Sequence, residues 1–106
     1  YYMTDDRANL YKITGTMAEN ERGGNLYEAC VYRHARILFA TLSRIITGDG
    51  EFYDKYFGAI VKEILSYRRD ILKNKQLGFK FKVSVLMLAI SPNLFVRLSR
   101  KLEQLR

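Results

Sequence analysis

Apolar positions recur with a helical period over most of this chain, and the places where the period fails mark the joints between elements. From Asn25 to about Thr47, Tyr27, Val31, Leu38, Leu42 and Ile45 make one stripe. Ala35 permits close approach on the same side, while Arg33, Arg36 and Arg44 give the segment a polar back. No Gly or Pro interrupts it; Asn25 can cap its start and Gly48 closes it. After the turn Gly48-Asp49-Gly50, with Asp49 or the polar residues behind it as a helix start, a second helix runs from about Glu51 to Lys73. Its stripe is Phe52, Tyr56, Ala59, Ile60, Val61, Ile64, Leu65, Ile71 and Leu72, widened by Tyr53 and Phe57. Two long amphipathic segments with a short link predict an antiparallel helical hairpin.

The last third is less uniform. Lys73 to Gly78 is a polar joint, after which Phe79, Phe81, Val83 and Val85 alternate with Lys80, Lys82 and Ser84, the period of an edge strand. The apolar run then continues through Ile90, giving a helix-length segment with no partner strand signalled nearby, so helix is favoured and strand stays open. Ser91-Pro92 marks the next helix start, because Ser caps an orphan N–H and Pro occupies a first-turn position that needs none. Beyond it Leu94, Phe95, Leu98, Leu102 and Leu105 share one side, with Arg97, Arg100, Lys101 and Arg106 mostly on the rest. Ahead of the hairpin, Tyr1 to Lys12 has no sustained period, Tyr1-Tyr2-Met3 suits the end of an edge strand, and Thr14 to Gly24 reads as a Gly-containing connector. The expected fold is mainly α: a helical hairpin over 25–73 and two shorter helices over 79–106, after an irregular lead-in over 1–24 with a short strand at its start.

At 106 residues this is one domain at most, or a piece of a larger protein, as an opening on Tyr1-Tyr2-Met3 without a leader pattern suggests. Hydrophobic residues at 48% exclude a disordered chain. The lone Cys30 excludes an internal disulfide framework, and a cytoplasmic location is the default. The run up to Ile90 is too short for a bilayer span, which needs about 20 apolar residues. Charge is more informative than any of these. Residues 1–60 carry seven Lys/Arg against eight Asp/Glu, and residues 61–106 carry eleven against three, so the net of +7 belongs to the second half. A one-sided positive field favours an anionic partner, with a merely solvated basic face as the ordinary alternative.

Candidate chemistry is thin. Asp5-Asp6 could serve a divalent metal or acid–base work, but with no further acid until Glu19 it reads as a turn or helix-start cluster ahead of Arg7 to Leu10. Gly23-Gly24 lacks every continuation that a phosphate loop requires. Cys30 and His34, four apart on one helical face, would fit half a metal site or a Cys–His nucleophile; without further ligands the expected arrangement is a small buried Cys beside a partly exposed His. Tyr67-Arg68-Arg69 could contact phosphate or a nucleobase, or simply place cations near a helix end.

The run from Phe79 to Leu98, with its Lys80-x-Lys82 pair, Leu-rich helix, Ser91-Pro92 and following Leu-rich basic helix, is similar to the tail of bacterial family 2 glycosyltransferases, which assemble capsular and other cell-surface polysaccharides. Tyr1-Tyr2-Met3 resembles the last aromatic strand before that tail, although Met3-Thr4 stands where an aromatic-Arg pair is often found, and the Asn25 to Lys73 helices resemble the segment after it. The resemblance implies a nucleotide-sugar donor, a divalent metal and transfer to a glycan acceptor at the cytoplasmic membrane face. The metal and base motifs of that family lie upstream of this segment, so no catalytic residue, metal ligand or cofactor is assigned here. The expected role is non-catalytic: packing on the catalytic domain and docking on the inner membrane face. Lys80, Lys82, Arg97, Arg100 and Lys101 would meet anionic lipid while Phe79, Phe81, Leu94 and Phe95 insert. The rival readings are a nucleic-acid-binding helical module that adds Arg68 and Arg69, and a helical protein-interaction or homo-oligomerisation domain.

Overall fold

The computed structural model describes residues 4–48 and 50–105, the side chain of Glu103 excepted, and every regular element in them is helical. In chain order these are α1 (Asp5–Ala8), α2 (Leu10–Asn20), α3 (Tyr27–Thr47), α4 (Gly50–Ser66), α5 (Arg68–Lys73), α6 (Phe79–Ile90) and α7 (Pro92–Gln104). The edge strand expected at Tyr1-Tyr2-Met3 and the cap expected at Asp49 lie outside the described residues.

The predicted hairpin is present as α3 against α4, and it supplies the centre of the core. Leu38, Leu42 and Ile45 of α3 meet Ile60 and Ile64 of α4, all fully buried, because a stripe repeating every three or four residues keeps one side of a helix out of water. Phe79 to Ile90 is helical: α6 packs on α4, α5 and α7, and turns Val85 and Leu88 inward. A helix satisfies its own backbone groups, whereas the alternating Phe/Lys octet would have needed a partner strand. α7 folds back on α3. Its start is as expected: Ser91 Oγ accepts from Leu94 N–H at 3.3 Å, with Pro92 as the first helical residue. The radius of gyration, 13.6 Å, is near the roughly 13 Å of a compact chain of this length, so the basic tail is part of the body and does not trail from it.

Three expectations need correction. The described part of the lead-in over 1–24, expected to be irregular, is mostly helical, as α1 and α2. Thr4 Oγ1 accepts from Arg7 N–H at 3.2 Å to start α1, and of the supposed connector Thr14 to Gly24 the part up to Asn20 belongs to α2, whose inner face is Tyr11, Thr14, Gly15 and Ala18, with turns only over 21–24. Small and polar residues make that face, so hydrophobic periodicity underestimates it. The second long helix breaks at Tyr67, whose N–H reaches back three residues to Ile64 O, and α5 begins anew at Arg68. Asn25 does not cap α3: Leu26 holds that position without a side-chain bond, and Asn25 is exposed. The asparagine that organises a helix end is Asn74, buried, its Nδ2 donating to Glu28 O at 2.8 Å and its Oδ1 accepting from Gln76 N–H at 2.9 Å and Leu77 N–H at 3.2 Å.

Candidate functional site

Two places gather residues with something left to do: the outer face of α6 and α7, and a polar cluster where α2, α3 and α4 meet.

α6 is apolar nearly all round, and such a helix is ordinarily enclosed. Here the core takes only Val85 and Leu88, with Phe81 half-buried beside them, and leaves Phe79 and Ile90 each 81% exposed, with Leu86 also in solvent. The pattern repeats after Ser91-Pro92. Phe95 and Val96 turn inward on α7, while Leu94, Leu98, Leu102 and Leu105 lie exposed. The leucine stripe that the sequence placed against a surface is thus not covered by this chain's own core. Scattered single exposed apolars are unremarkable, whereas a run of them along two consecutive helices is a candidate contact surface.

The predicted contact residues divide. Phe79 and Leu94 are exposed and Lys80, Arg97 and Lys101 stand in solvent, while Lys82 is half-buried. Phe81 and Phe95 do not project: their rings pack on Phe39 with centroids 5.5 and 6.5 Å apart, which makes them anchors of α6 and α7 on α3. Arg100 is partly engaged as well. Its Nε donates to Ile46 O at 3.4 Å, near the carbonyl end of α3, and its guanidinium lies 5.3 Å from the Tyr53 ring centre. Arg68 Nη1 donates to Leu65 O at 3.2 Å, closing the last turn of α4, as a cation near a helix end does. No described helix is long and apolar enough to cross a membrane.

The second place is centred on His34, and here the expected arrangement is reversed. His34 is 1% exposed, whereas Cys30 is half-buried beside a hollow of about 190 Å³ lined by Thr14, Met17, Leu26, Ala29 and Arg33. The ring nitrogens of His34 have partners other than Cys30: Nδ1 lies 2.6 Å from Thr14 Oγ1 and Nε2 lies 3.0 Å from Glu63 Oε2. Burial outweighs the nearby Glu63 and holds the imidazole below its ordinary pKa. Gly15 makes room for this contact, since a Cβ there would stand 3.1 Å from Glu63 Oε2 and 3.2 Å from His34 Cε1. The Tyr67 ring meets His34 edge-on, centroids 4.9 Å apart, and its hydroxyl donates to Glu19. Arg22 and then Tyr67 pull the Glu19 carboxyl down to about 2, while burial and Glu19 push the Tyr67 phenol up. Arg22 also lies over the Tyr27 ring at 5.0 Å, and Tyr27 hydroxyl donates to Asp70 at 2.9 Å, which ties α3 to α5.

Thr14, His34 and Glu63 stand in the hydroxyl–imidazole–carboxylate order of a nucleophilic catalyst. The setting argues against that use. Thr14 lies within α2, where backbone N–H groups are committed to the helix, so no donor pair is left for an oxyanion. A shallow cleft of about 580 Å³ opens beside it, bordered by Tyr11, Gly15, Glu19, Glu63 and Tyr67. Among the described residues no group of three or more His, Cys, Asp or Glu could hold a metal ion. Asp5, the first of the acid pair, begins α1 and accepts from Lys55 Nζ at 2.9 Å and from the Tyr56 hydroxyl, fastening the lead-in to α4. The sequence could expose His34 as a residue on the inner stripe; its partners lie 20 and 29 positions away, and no local pattern announces them. No protein-family model, curated protein or solved structure matches this chain.

Proposed function

We propose that this chain is a non-catalytic helical portion of a glycosyltransferase that moves a sugar from a nucleotide-sugar to a cell-surface glycan, and that it docks on the inner membrane face through α6 and α7. One observation carries the docking part: the apolar outer sides of both helices are exposed, with Lys80, Arg97 and Lys101 in solvent on the same two helices. An anionic bilayer answers both features, because acyl chains take up Phe79, Leu86, Ile90 and the leucines while head groups attract the cations. A nucleic acid answers only the charge. The glycosyltransferase part is supported by the resemblance of Phe79 to Leu98 to the tails of that family. On that proposal the metal and nucleotide-sugar bind a catalytic domain encoded upstream, against which the remaining surface packs.

Flotation with vesicles containing anionic lipid tests the docking. The chain should float at low salt, lose about tenfold or more of its partitioning when Lys80, Arg97 and Lys101 become Gln, and bind neutral vesicles weakly, each cation contributing on the order of 1 kcal/mol. No flotation at low salt ends the docking proposal. The family proposal is tested separately by the coding sequence ahead of Tyr1, which should supply an apolar strand ending in Asp-x-Asp; its absence would reject the glycosyltransferase and leave the membrane contact standing.

A further inference from the structure

The cleft beside the His34 cluster holds two polar groups that the fold does not use. It opens between α2 and α4 with a volume of about 580 Å³, within the roughly 300–1,000 Å³ of small-ligand sites. On the α4 side Glu63 Oε2 is taken by His34 Nε2 at 3.0 Å, and a ring nitrogen so close to a carboxylate carries the proton. Glu63 Oε1 has no hydrogen-bond partner among the described residues, and the side chain is 31% exposed. On the α2 side Tyr11 is only 8% exposed, yet its hydroxyl makes no hydrogen bond among the described residues; Thr14 bonds the main-chain carbonyl of Tyr11 instead. No enclosed side-chain oxygen among the described residues lacks a partner, so this hydroxyl is open to solvent, at the cleft that Tyr11 borders. Burial and then the Glu63 charge push the phenol above its usual range, which puts the carboxylate within electrostatic reach of the hydroxyl and keeps the phenol a donor at neutral pH.

We propose that this cleft binds a neutral polyhydroxyl ligand, a saccharide or polyol, one hydroxyl of which bridges Tyr11 and Glu63. A hydroxyl accepts one hydrogen bond while donating another, so it takes the Tyr11 proton and gives its own to Glu63 Oε1. An ammonium has no lone pair for the Tyr11 proton, and a phosphate or carboxylate has no proton for Glu63. Amides donate and accept from opposite ends, and their flanking carbons need apolar contact. The border offers none: no Leu, Ile, Val, Met or Ala belongs to it among the described residues. Its charges are balanced as well. Lys12 and Arg22 face Glu19 and Glu63, and Arg22 is already bound to Glu19, so no net field favours an ionic ligand. Asn20 adds an amide able to serve further ligand hydroxyls. The Tyr67 ring is occupied by the His34 edge and by Arg22, which leaves hydrogen bonds rather than stacking to hold the ligand. The site lies on α2 and α4 and uses neither α6 nor α7, nor the resemblance of Phe79 to Leu98, so it stands or falls apart from the membrane contact and the glycosyltransferase reading.

Amide and tyrosine-ring resonances of the full chain, followed while glucose, galactose, mannose or glycerol is added, read the site, with butylammonium, phosphate and N-methylacetamide as ionic and amide probes. At least one of the four polyhydroxyl probes should give saturable shifts at α2 and α4 amides around Tyr11, Gly15 and Glu63 while α6 and α7 stay unmoved. Tyr11→Phe keeps the ring and removes a hydroxyl that bonds nothing in the fold, so it should keep the urea midpoint and weaken that binding about fivefold or more. Glu63→Gln, whose carbonyl is claimed by His34, should weaken it about tenfold. Should Glu63→Gln fail to fold, Tyr11→Phe and the native shift map carry the test without it. The assignment is overturned if none of the four polyhydroxyl probes shifts the cleft, if the shifts fall elsewhere, if Tyr11→Phe binds as tightly as the native chain, or if an ionic or amide probe binds the cleft more tightly than all four.

Discussion

Single side chains at the α2–α3–α4 junction give stability a pH dependence with two separable limbs. Burial holds the His34 pKa below 6.5, so as pH falls the unfolded chain takes up this proton first. The contribution of neutral His34 is fully present above about pH 6.5 and is lost as pH falls through its folded titration. Glu19 acts lower. Its carboxyl, at about 2 in the fold against 4.5 unfolded, contributes above roughly pH 4.5 and is lost as pH falls toward 2. Since Glu19 is largely exposed, solvent screens its limb, and that limb should be the smaller. Urea midpoints measured from neutral pH downward should fall in two stages; His34→Gln should flatten the first and Arg22→Gln, which removes the larger partner of Glu19, the second. A single limb surviving both substitutions would contradict the assignment. The histidine itself was visible in the sequence, four residues after Cys30, but its burial was not, because the carboxylate and hydroxyl that satisfy it come from other helices.

Glycine at the scale of the helix shows why some elements could be read from sequence and one could not. α3, α4 and α7 announce themselves through Val, Ile, Leu and Phe at helical spacing, and Ser91-Pro92 marks the start of α7; α6 showed a strand's alternation at its start, and only the length of its apolar run favoured helix. α2 was hidden because its contact with α3 depends on close approach at Gly15 and Ala18, which carry little hydrophobic signal. The break at Tyr67 was hidden for a related reason: no Gly or Pro marks it, and the cause is tertiary, with the ring against His34 and the hydroxyl on Glu19. Two Gly→Ala changes separate these roles. At Gly58, exposed within α4 and with open space around its Cβ position, alanine should stabilise by about 0.5–1 kcal/mol through helix propensity. At Gly15 the same gain is offset by overpacking against an imidazole bonded at both nitrogens, so Gly15→Ala should destabilise by about 1–2 kcal/mol. Chemical denaturation of both variants checks the contrast in sign. Asn74→Ala should cost more, about 2–3 kcal/mol, because it strips partners from Glu28 O and from the N–H groups of Gln76 and Leu77.

Over the whole molecule, stability and surface chemistry are carried by different residues of the same two helices, and this makes the functional proposal separable from the fold. The α6–α7 unit is held by Phe81, Val85, Leu88, Phe95 and Val96, which reach α3 and the core. The exposed Phe79, Ile90, Leu98 and Leu102 contribute little to that attachment, so Ser at these four positions should change unfolding free energy by about 0.5 kcal/mol or less per site. Phe95→Ala, by contrast, should loosen α7 and cost about 2–4 kcal/mol, somewhat less than a fully buried ring because Phe95 is only half-buried. The four-Ser variant, at about 2 kcal/mol or less in total, should therefore stay folded at the flotation temperature and lose vesicle flotation, whereas Phe95→Ala should lower the melting temperature more than any one of the four Ser changes. An unpartnered apolar surface also predicts behaviour without lipid: the native chain should self-associate as concentration rises, and anionic vesicles should reverse this by competing for the same face. Sedimentation across a concentration series decides between the membrane and a protein partner. If association persists when vesicles are in excess, or the four-Ser variant associates as strongly as the native chain, the outer faces of α6 and α7 do not form the docking surface.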